Sequence, residues 1–430
     1  MSVKWEKTEI NTGVLAIEVE SEKVDRALDR AFKTVVQKIN VPGFRKGKVP
    51  RKIFESRFGV ASLYQDALDI LLPEAYSAAV IETKIEPVDR PNIDIIQMEV
   101  GKPLIFNATV IVKPEVTLGV YEGVTYEDQT FEVTEEKEQE ELERIRNGHA
   151  ELHVIEDEAA VLKDVLVMDF KGYVDGEAFE GGEAENYQIE LGSGTFVPGF
   201  EDQLIGVKAG EDKEINITFP EDYHVKSLAG KPAKFDVHVH DVKRRVLPEL
   251  DDDFVRDISE FDTLEEYKAH LREDLAHRAE HEHEHYVQDV VVSKVVEEAT
   301  VEIPAVMIEQ EIDQQVRDFE TRMEQQGVPL DAYLEFTGTT KEELRGQFHE
   351  DAGRRVKTSL VLEAIAKAQG LTVTQEDVDL EIQKVADSVR MDFENTKRLL
   401  QSRDPQFLSF AESIITTKAV DWLVAHSVQA

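Results

Sequence analysis

The sequence predicts an α+β chain of several domains: an N-terminal α/β sandwich-like unit, a small antiparallel β-sheet unit and an all-α C-terminal part. Three observations predict it. Strand-like alternation and helical stripes are interleaved up to about residue 113; from 150 to 245 short β-type runs are punctuated by glycines such as Gly172, Gly176, Gly181, Gly182, Gly192, Gly194, Gly199, Gly206 and Gly210; and after Pro248 helical patterns take over. A chain of 430 residues is also longer than a single core supports. The expected segments are 1–113, a linking arm at 114–149, the sheet unit at 150–245 and the helical region at 246–430.

In the first unit, Val14–Val19 reads as a strand with Leu15, Ile17 and Val19 on one side. Ser21 is a candidate cap for a helix reaching about Ile39, its apolar face formed by Val24, Leu28, Ala31, Phe32, Val35 and Val36. Pro50 can open the next helix, which carries Ile53, Phe54 and Phe58 and stops near Gly59. A longer helix follows from Ser62 to Lys84, striped by Leu63, Ala67, Ile70, Leu71 and Ala75 and bent at Pro73. Ile93–Ile96 and Leu104–Val110 close the unit as strands. Thr134–Asn147 is a strongly charged helix with a narrow apolar edge at Leu142 and Ile145, which suits a connecting arm. Strands are expected at 165–170, 187–191, 214–219 and 234–242, with a short helix at 200–205. In the helical region Thr263-Leu264-Glu265-Glu266 and Thr340-Lys341-Glu342-Glu343 fit capping boxes, and Pro304, Gly327-Val328-Pro329 and Gly370 mark breaks.

Composition narrows the function. The formal net charge of −40 argues against general nucleic-acid binding. Cysteine is absent, so disulfide frameworks and thiol chemistry are excluded. Met1–Lys7 begins no secretory signal and no run approaches a membrane span, so no membrane partner and a cytoplasmic, reducing setting are expected. No Gly-x4-Gly-Lys-Ser/Thr loop is present, because Gly43–Lys48 has the wrong spacing and lacks the hydroxyl; ATP-driven action is not expected.

Against this acidic background, the window from Lys38 to Phe54 has no acidic residue and holds Lys38, Arg45, Lys46, Lys48, Arg51 and Lys52. Within it, Val41-Pro42-Gly43-Phe44-Arg45-Lys46-Gly47-Lys48-Val49-Pro50 reads as a basic loop around one aromatic side chain, the composition of an interface anchor, although a short Lys/Arg cluster also fits a solvated loop. Residues Gly43, Phe44, Arg45, Lys46, Gly47, Lys48, Val49 and Pro50 resemble the ribosome-docking motif of the trigger factor family, bacterial chaperones that work where nascent chains emerge.

The middle segment carries a second resemblance. Asp169-Phe170, Asp175 to Glu180, Leu191 to Glu201, Ala209-Gly210-Glu211, Phe219 to Tyr223 and Phe235 follow one another as in the FKBP-type prolyl isomerases. That family's active site is an apolar cup without a nucleophile. The resemblance places Phe170, Phe179, Tyr187, Phe196, Val197, Phe200, Tyr223 and Phe235 in the cup. Two matched places differ from the small FKBP enzymes, whose pocket-floor Trp is Phe200 here and whose Asp near the pocket is Glu180; tight macrolide binding is not expected. The same aromatics would also serve as plain core.

His277, His281 and His285, spaced by four, share one helix face, with His283 and Glu280, Glu282 and Glu284 intervening; imidazoles at that spacing can bind Zn or Ni, but the stretch reads as a solvated polar face, and no metal site and no cofactor is assigned. The apolar residues Val287, Val290, Val291, Val292, Val295 and Val296, and Met307, Ile308, Ile312, Val316, Phe319 and Met323, fit either a compact bundle or exposed client-binding arms.

The order of basic loop, isomerase-like segment and helical remainder resembles trigger factors from end to end. The resemblance implies an ATP-independent chaperone with peptidyl-prolyl isomerase activity. Its partners would be the ribosome, with Phe44, Arg45 and Lys46 against a large-subunit exit-site protein and rRNA, and nascent unfolded polypeptides, with a homodimer formed off the ribosome. Two alternatives stand beside it: a stand-alone FKBP-type isomerase with accessory interaction domains, and a nucleic-acid-binding module using the basic loop.

Overall fold

The computed structural model describes every residue except Val41, Asp222, His224, Ser227, Pro405 and Gln406, and, within helices and strands, the side chains of Glu180, Arg403 and Ser409. The chain forms two compact units, one of Met1–Gln129 with His285–Ala430 and one of Thr130–Glu284.

The N-terminal part of the first unit is a four-stranded antiparallel sheet in the order β1-β2-β4-β3, from β1 (Ser2–Lys7), β2 (Thr12–Val19), β3 (Asn92–Gln97) and β4 (Leu104–Ile111). Leu15, Ile17 and Val19 on β2 and Leu104, Phe106, Ala108 and Val110 on β4 point to one face and are buried. Helices α1 (Ser21–Lys38) and α3 (Tyr64–Thr83) supply Val24, Leu28, Ala31, Ala67, Leu71 and Ala75 to the same core. Strand β1 goes beyond the sequence reading; only Val3 and Trp5 mark its inward face, too few for a visible alternation. Ser21 does not cap α1. The cap position is Glu20, whose carbonyl accepts the Lys23 N–H at 3.0 Å while its carboxylate is paired with the chain's first amino group. Between them, α2 (Arg51–Phe58) starts after Pro50 and ends at Gly59, where φ is +76°.

The second unit contains a five-stranded antiparallel sheet of β6 (Glu151–Ile155), β7 (Val165–Val174), β8 (Glu177–Glu190), β9 (Asp212–Thr218) and β10 (Pro232–Val246). Strand β10 pairs with β7 along one side, and with β9 and then β6 along the other. β8 is much longer than the expected 187–191 stretch: Gly181 and Gly182 lie inside it, not in a turn, and register shifts in the β7–β8 pairing accommodate them. Helix α5 (Phe200–Leu204) buries Phe200 and Leu204 against this sheet. Helix α4 (Glu135–Gly148) is capped by Thr134, whose hydroxyl accepts the Lys137 N–H at 3.3 Å. Leu142 is its buried apolar contact, and Glu138 and Glu141 pair with Arg272 and Arg278.

The helical remainder comprises α6 (Asp252–Ile258), α7 (Leu264–Glu298), α8 (Ala305–Gln325), α9 (Leu330–Thr337), α10 (Lys341–Ala368), α11 (Gln375–Ser388), α12 (Phe393–Arg403) and α13 (Leu408–Ala425). Thr340 and Glu343 form a full capping box on α10, and Thr374 with Asp377 forms another on α11. Strands do not vanish entirely after Pro248: β11 (Val428–Gln429) pairs in parallel with β5 (Thr125–Tyr126). In the first unit these helices have three small cores instead of one bundle core. The largest joins Val287, Val291, Val295 and Val296 of α7 to Val361, Ile365, Ala419 and Leu423, and Val116, Leu118, Tyr121, Val124 and Tyr126 of the preceding segment pack on it. The second is Ile312, Val316 and Ala352; the third is Val378, Ile382 and Ile414. The valine run is therefore core, whereas Met307, Phe319 and Met323 are half-buried and Phe336 is 91% exposed.

Candidate functional site: an aromatic cup and a basic loop

The cup is built on the inner face of the sheet in the second unit. Phe170 on β7 and Phe235 on β10 are two such inward residues, and α5 sets Phe200 beneath them, fully buried. Ring centroids link the set. Phe170 lies 5.7 Å from Tyr187, 5.3 Å from Phe196, 6.3 Å from Phe200 and 6.2 Å from Phe235. Phe196 stacks on Phe200 at 4.5 Å, Phe200 meets Phe235 edge-on at 5.2 Å, and Phe179 meets Phe235 at 5.9 Å. Phe219, which the sequence reading left out of the cup, bridges Phe179 at 5.9 Å and Tyr223 at 4.7 Å. Val197 packs half-buried on the same core, and its carbonyl accepts the Phe200 N–H at 3.1 Å. Phe170, Phe200, Phe219 and Phe235 are buried as floor, while Phe179, Tyr187, Phe196 and Tyr223 are half-buried as walls. The Glu180 side chain and Asp222, both in the matched pattern, lie outside the described residues.

One carboxylate stands close to the rings. Glu201, on α5 next to Phe200, is buried and accepts N–H bonds from Gly192 at 2.8 Å, Gly194 at 3.2 Å and Phe196 at 3.1 Å. Burial pushes its pKa up, but these N–H groups and the Ser193 hydroxyl outweigh it and hold the carboxyl below its ordinary range. Where β7 begins beside β10, Arg244 forms a two-pronged pair with Asp164, at 3.0 and 2.9 Å, closing the turn that leads into β7. Phe219 continues the alternation of Ile215 and Ile217, a signal that marks it as inward-facing, whereas Glu201 has no periodic signal and its donors come together only through tertiary packing.

The basic loop lies in the other unit, between α1 and α2. Gly43 and Gly47 adopt φ of +92° and +78°, and the Arg45 carbonyl accepts the Lys48 N–H at 2.9 Å, which makes a tight turn. Phe44 is half-buried against the N-terminal core and Val49 is buried, so the apolar residues pin the loop while Arg45, Lys46 and Lys48 project into solvent. Arg51 is engaged by Asp29 and Glu55. Val41 lies outside the described residues.

His277 and His281 are exposed beside Glu280 and Glu284, at 3.9 and 3.4 Å. Among the described residues, no group of three His, Asp or Glu is placed to hold a metal, and no helix is long and apolar enough to cross a membrane.

Comparison with known proteins agrees with this architecture. Residues 1–145 match the family model of the bacterial trigger factor protein, residues 263–425 match that of the trigger factor C-terminus, and residues 156–240 match FKBP-type peptidyl-prolyl cis-trans isomerases. Over 428 residues the chain is 54% identical to the trigger factor of Halalkalibacterium halodurans, covering 99% of both chains. It is 53% identical over 427 residues to that of Brevibacillus brevis, again covering 99% of both. A solved structure of the trigger factor chaperone shares the fold across 99% of both chains with a TM-score of 0.52 at 22% identity. The chain belongs to the bacterial trigger factor family and carries an FKBP-type peptidyl-prolyl isomerase domain.

Proposed function

We propose that this protein is an ATP-independent chaperone of the cytoplasm that meets nascent chains at the ribosome and isomerises their X–Pro bonds. The isomerase half is supported by one observation above all: a set of eight linked aromatic rings whose buried members form a floor and whose half-buried members form walls. Rotation about an X–Pro bond must break amide resonance, a barrier of about 18–20 kcal/mol. The twisted amide carries less charge separation than the planar one. An apolar, water-excluding cup therefore favours the twisted form over the ground state, which lowers the barrier without a nucleophile or a proton transfer. Phe170, Phe200 and Phe235 make the floor for the proline ring; Phe179, Tyr187, Phe196, Val197 and Tyr223 enclose the bond.

The chaperone half is supported by the basic loop and by the divided helical cores. Arg45 and Lys46 are exposed cations on a chain of net charge −40, suited to the phosphates of rRNA, and the Phe44 ring beside them suits an exit-site ribosomal protein. Half-buried Met307, Phe319 and Met323 offer adaptable apolar contact to unfolded segments, whose holding limits aggregation. Off the ribosome, the same apolar surface gives a homodimer a means of association.

Phe200→Ala separates this reading from that of a stand-alone isomerase. Removing a fully buried ring costs about 3–5 kcal/mol of local stability and collapses the cup floor. Turnover of a prolyl tetrapeptide is expected to fall to background while suppression of aggregation of an unfolded protein persists. Loss of both together, in a variant still folded by circular dichroism, would favour the stand-alone enzyme.

A further inference from the structure

We infer that Glu201 is a positioning residue for prolyl isomerisation: its carboxylate fixes the 192–196 loop so that Phe196 lies stacked on Phe200. This role rests on the isomerase reading of the cup.

The loop between β8 and α5 is tied at Leu191 to the 163–164 turn by two backbone bonds, and from Gly192 to Phe196 its alternate amides gather on one side chain. Both carboxylate oxygens of Glu201 are used. Oε2 accepts the N–H groups of Gly192 and Gly194 at 2.8 and 3.2 Å; Oε1 accepts the Phe196 N–H at 3.1 Å and the Ser193 hydroxyl at 3.4 Å. Gly192 and Gly194, at φ of +91° and +68°, turn the backbone so that the alternate amides of 192, 194 and 196 converge on the chain's own carboxylate. Glu201 is only 8% exposed, so water does not compete for these donors. Its neighbour in sequence, Phe200, is the cup floor, so a single short helical turn holds both the floor and the anchor of the wall. The wall is Phe196, 4.5 Å from Phe200, 5.3 Å from Phe170 and 5.4 Å from Tyr187.

An amide cannot replace this carboxylate. Glutamine would offer one acceptor oxygen and turn an NH2 group toward two other donors, leaving buried N–H groups unpaired. Aspartate is one methylene too short to reach the loop from the same backbone. The loop would then leave Phe196 without a fixed place, although the remaining rings of the cup would still pack.

The test is a double-mutant cycle in the full chain, with kcat/KM for a prolyl tetrapeptide measured by NMR exchange for the native protein, Glu201→Gln, Phe196→Ala and the double variant. Acting through Phe196, Glu201→Gln should lower kcat/KM about ten-fold in the native background and less than about two-fold when Phe196 is already alanine. Losses that multiply, or a Glu201→Gln variant within about two-fold of native, overturn the role. If Glu201→Gln does not fold, the native chain supplies the answer. The Phe196 amide resonance should move in a single titration below the ordinary glutamate range of about 4.3, together with loss of turnover; a Phe196 signal indifferent to that titration overturns the role. A native chain without turnover removes the isomerase reading itself, whereas an active native chain with multiplying losses removes only the assignment to Glu201.

Discussion

The Phe179 ring occupies space that any side chain at position 172 or 182 would fill. A Cβ on Gly172 would come within 2.7 Å of Phe179 Cε1 and 2.6 Å of Phe235 Cε1, and one on Gly182 within 2.7 Å of Phe179. These glycines are needed for close approach, not for a left-handed backbone. Gly172→Ala should push Phe179 and Phe235 apart, cost about 1–3 kcal/mol and lower prolyl turnover by about ten-fold, measured by melting and by tetrapeptide isomerisation. An alanine variant with native turnover would take Phe179 out of the cup. The gathering of these rings was legible at this scale, because Phe235 sits at an inward position of an alternating strand and the ordered motif carried the rest. Glu201 was not: next to Phe200 it reads as an ordinary first-turn helix acid, and its four donors come together only once the loop folds back.

At the scale of elements, local signals worked where one interaction dominates and failed where tertiary contacts decide. Thr340-Lys341-Glu342-Glu343 announced the start of α10, and Gly59 the end of α2, because a cap or a positive φ is local chemistry. Gly181-Gly182 read as a turn, yet the strand runs through it: Gly181 takes a φ of +80°, the β7 pairing shifts register opposite the pair, and the Phe179 ring fills the space beside Gly182. The start of α11 carries a pH dependence. The Lys418 ammonium on α13, with the N–H and hydroxyl of Thr374, holds the Asp377 carboxyl down to about 2. A depressed carboxyl contributes stability that is complete above its unfolded value near 3.8 and is lost as the pH falls through about 2. Denaturant midpoints of the native chain and Lys418→Ala, compared from pH 6 to pH 2, should differ most above pH 4 and converge toward pH 2. A difference that widens on acidification would contradict the pairing.

Across the whole molecule, small cores replace one large one. The N-terminal sheet, the cup sheet and three helical clusters each bury their own apolar residues. Apolar pattern in the sequence could not separate a bundle from divided helices, because a stripe shows that a face is buried but not how many partners it has. Packing of Val116–Tyr126 on the C-terminal helices was equally invisible, being set by contacts more than 160 residues apart. Charge was legible from the start: an excess of 40 acidic charges with a single cationic loop leaves few places for a polyanion to bind.

That loop carries the central claim, and co-sedimentation with bacterial ribosomes tests it most directly. The native chain should pellet with ribosomes, and Phe44→Ala/Arg45→Ala/Lys46→Ala should remain in the supernatant while keeping native prolyl turnover. A variant that pellets as the native chain does, or a native chain that does not pellet, would contradict docking through this loop.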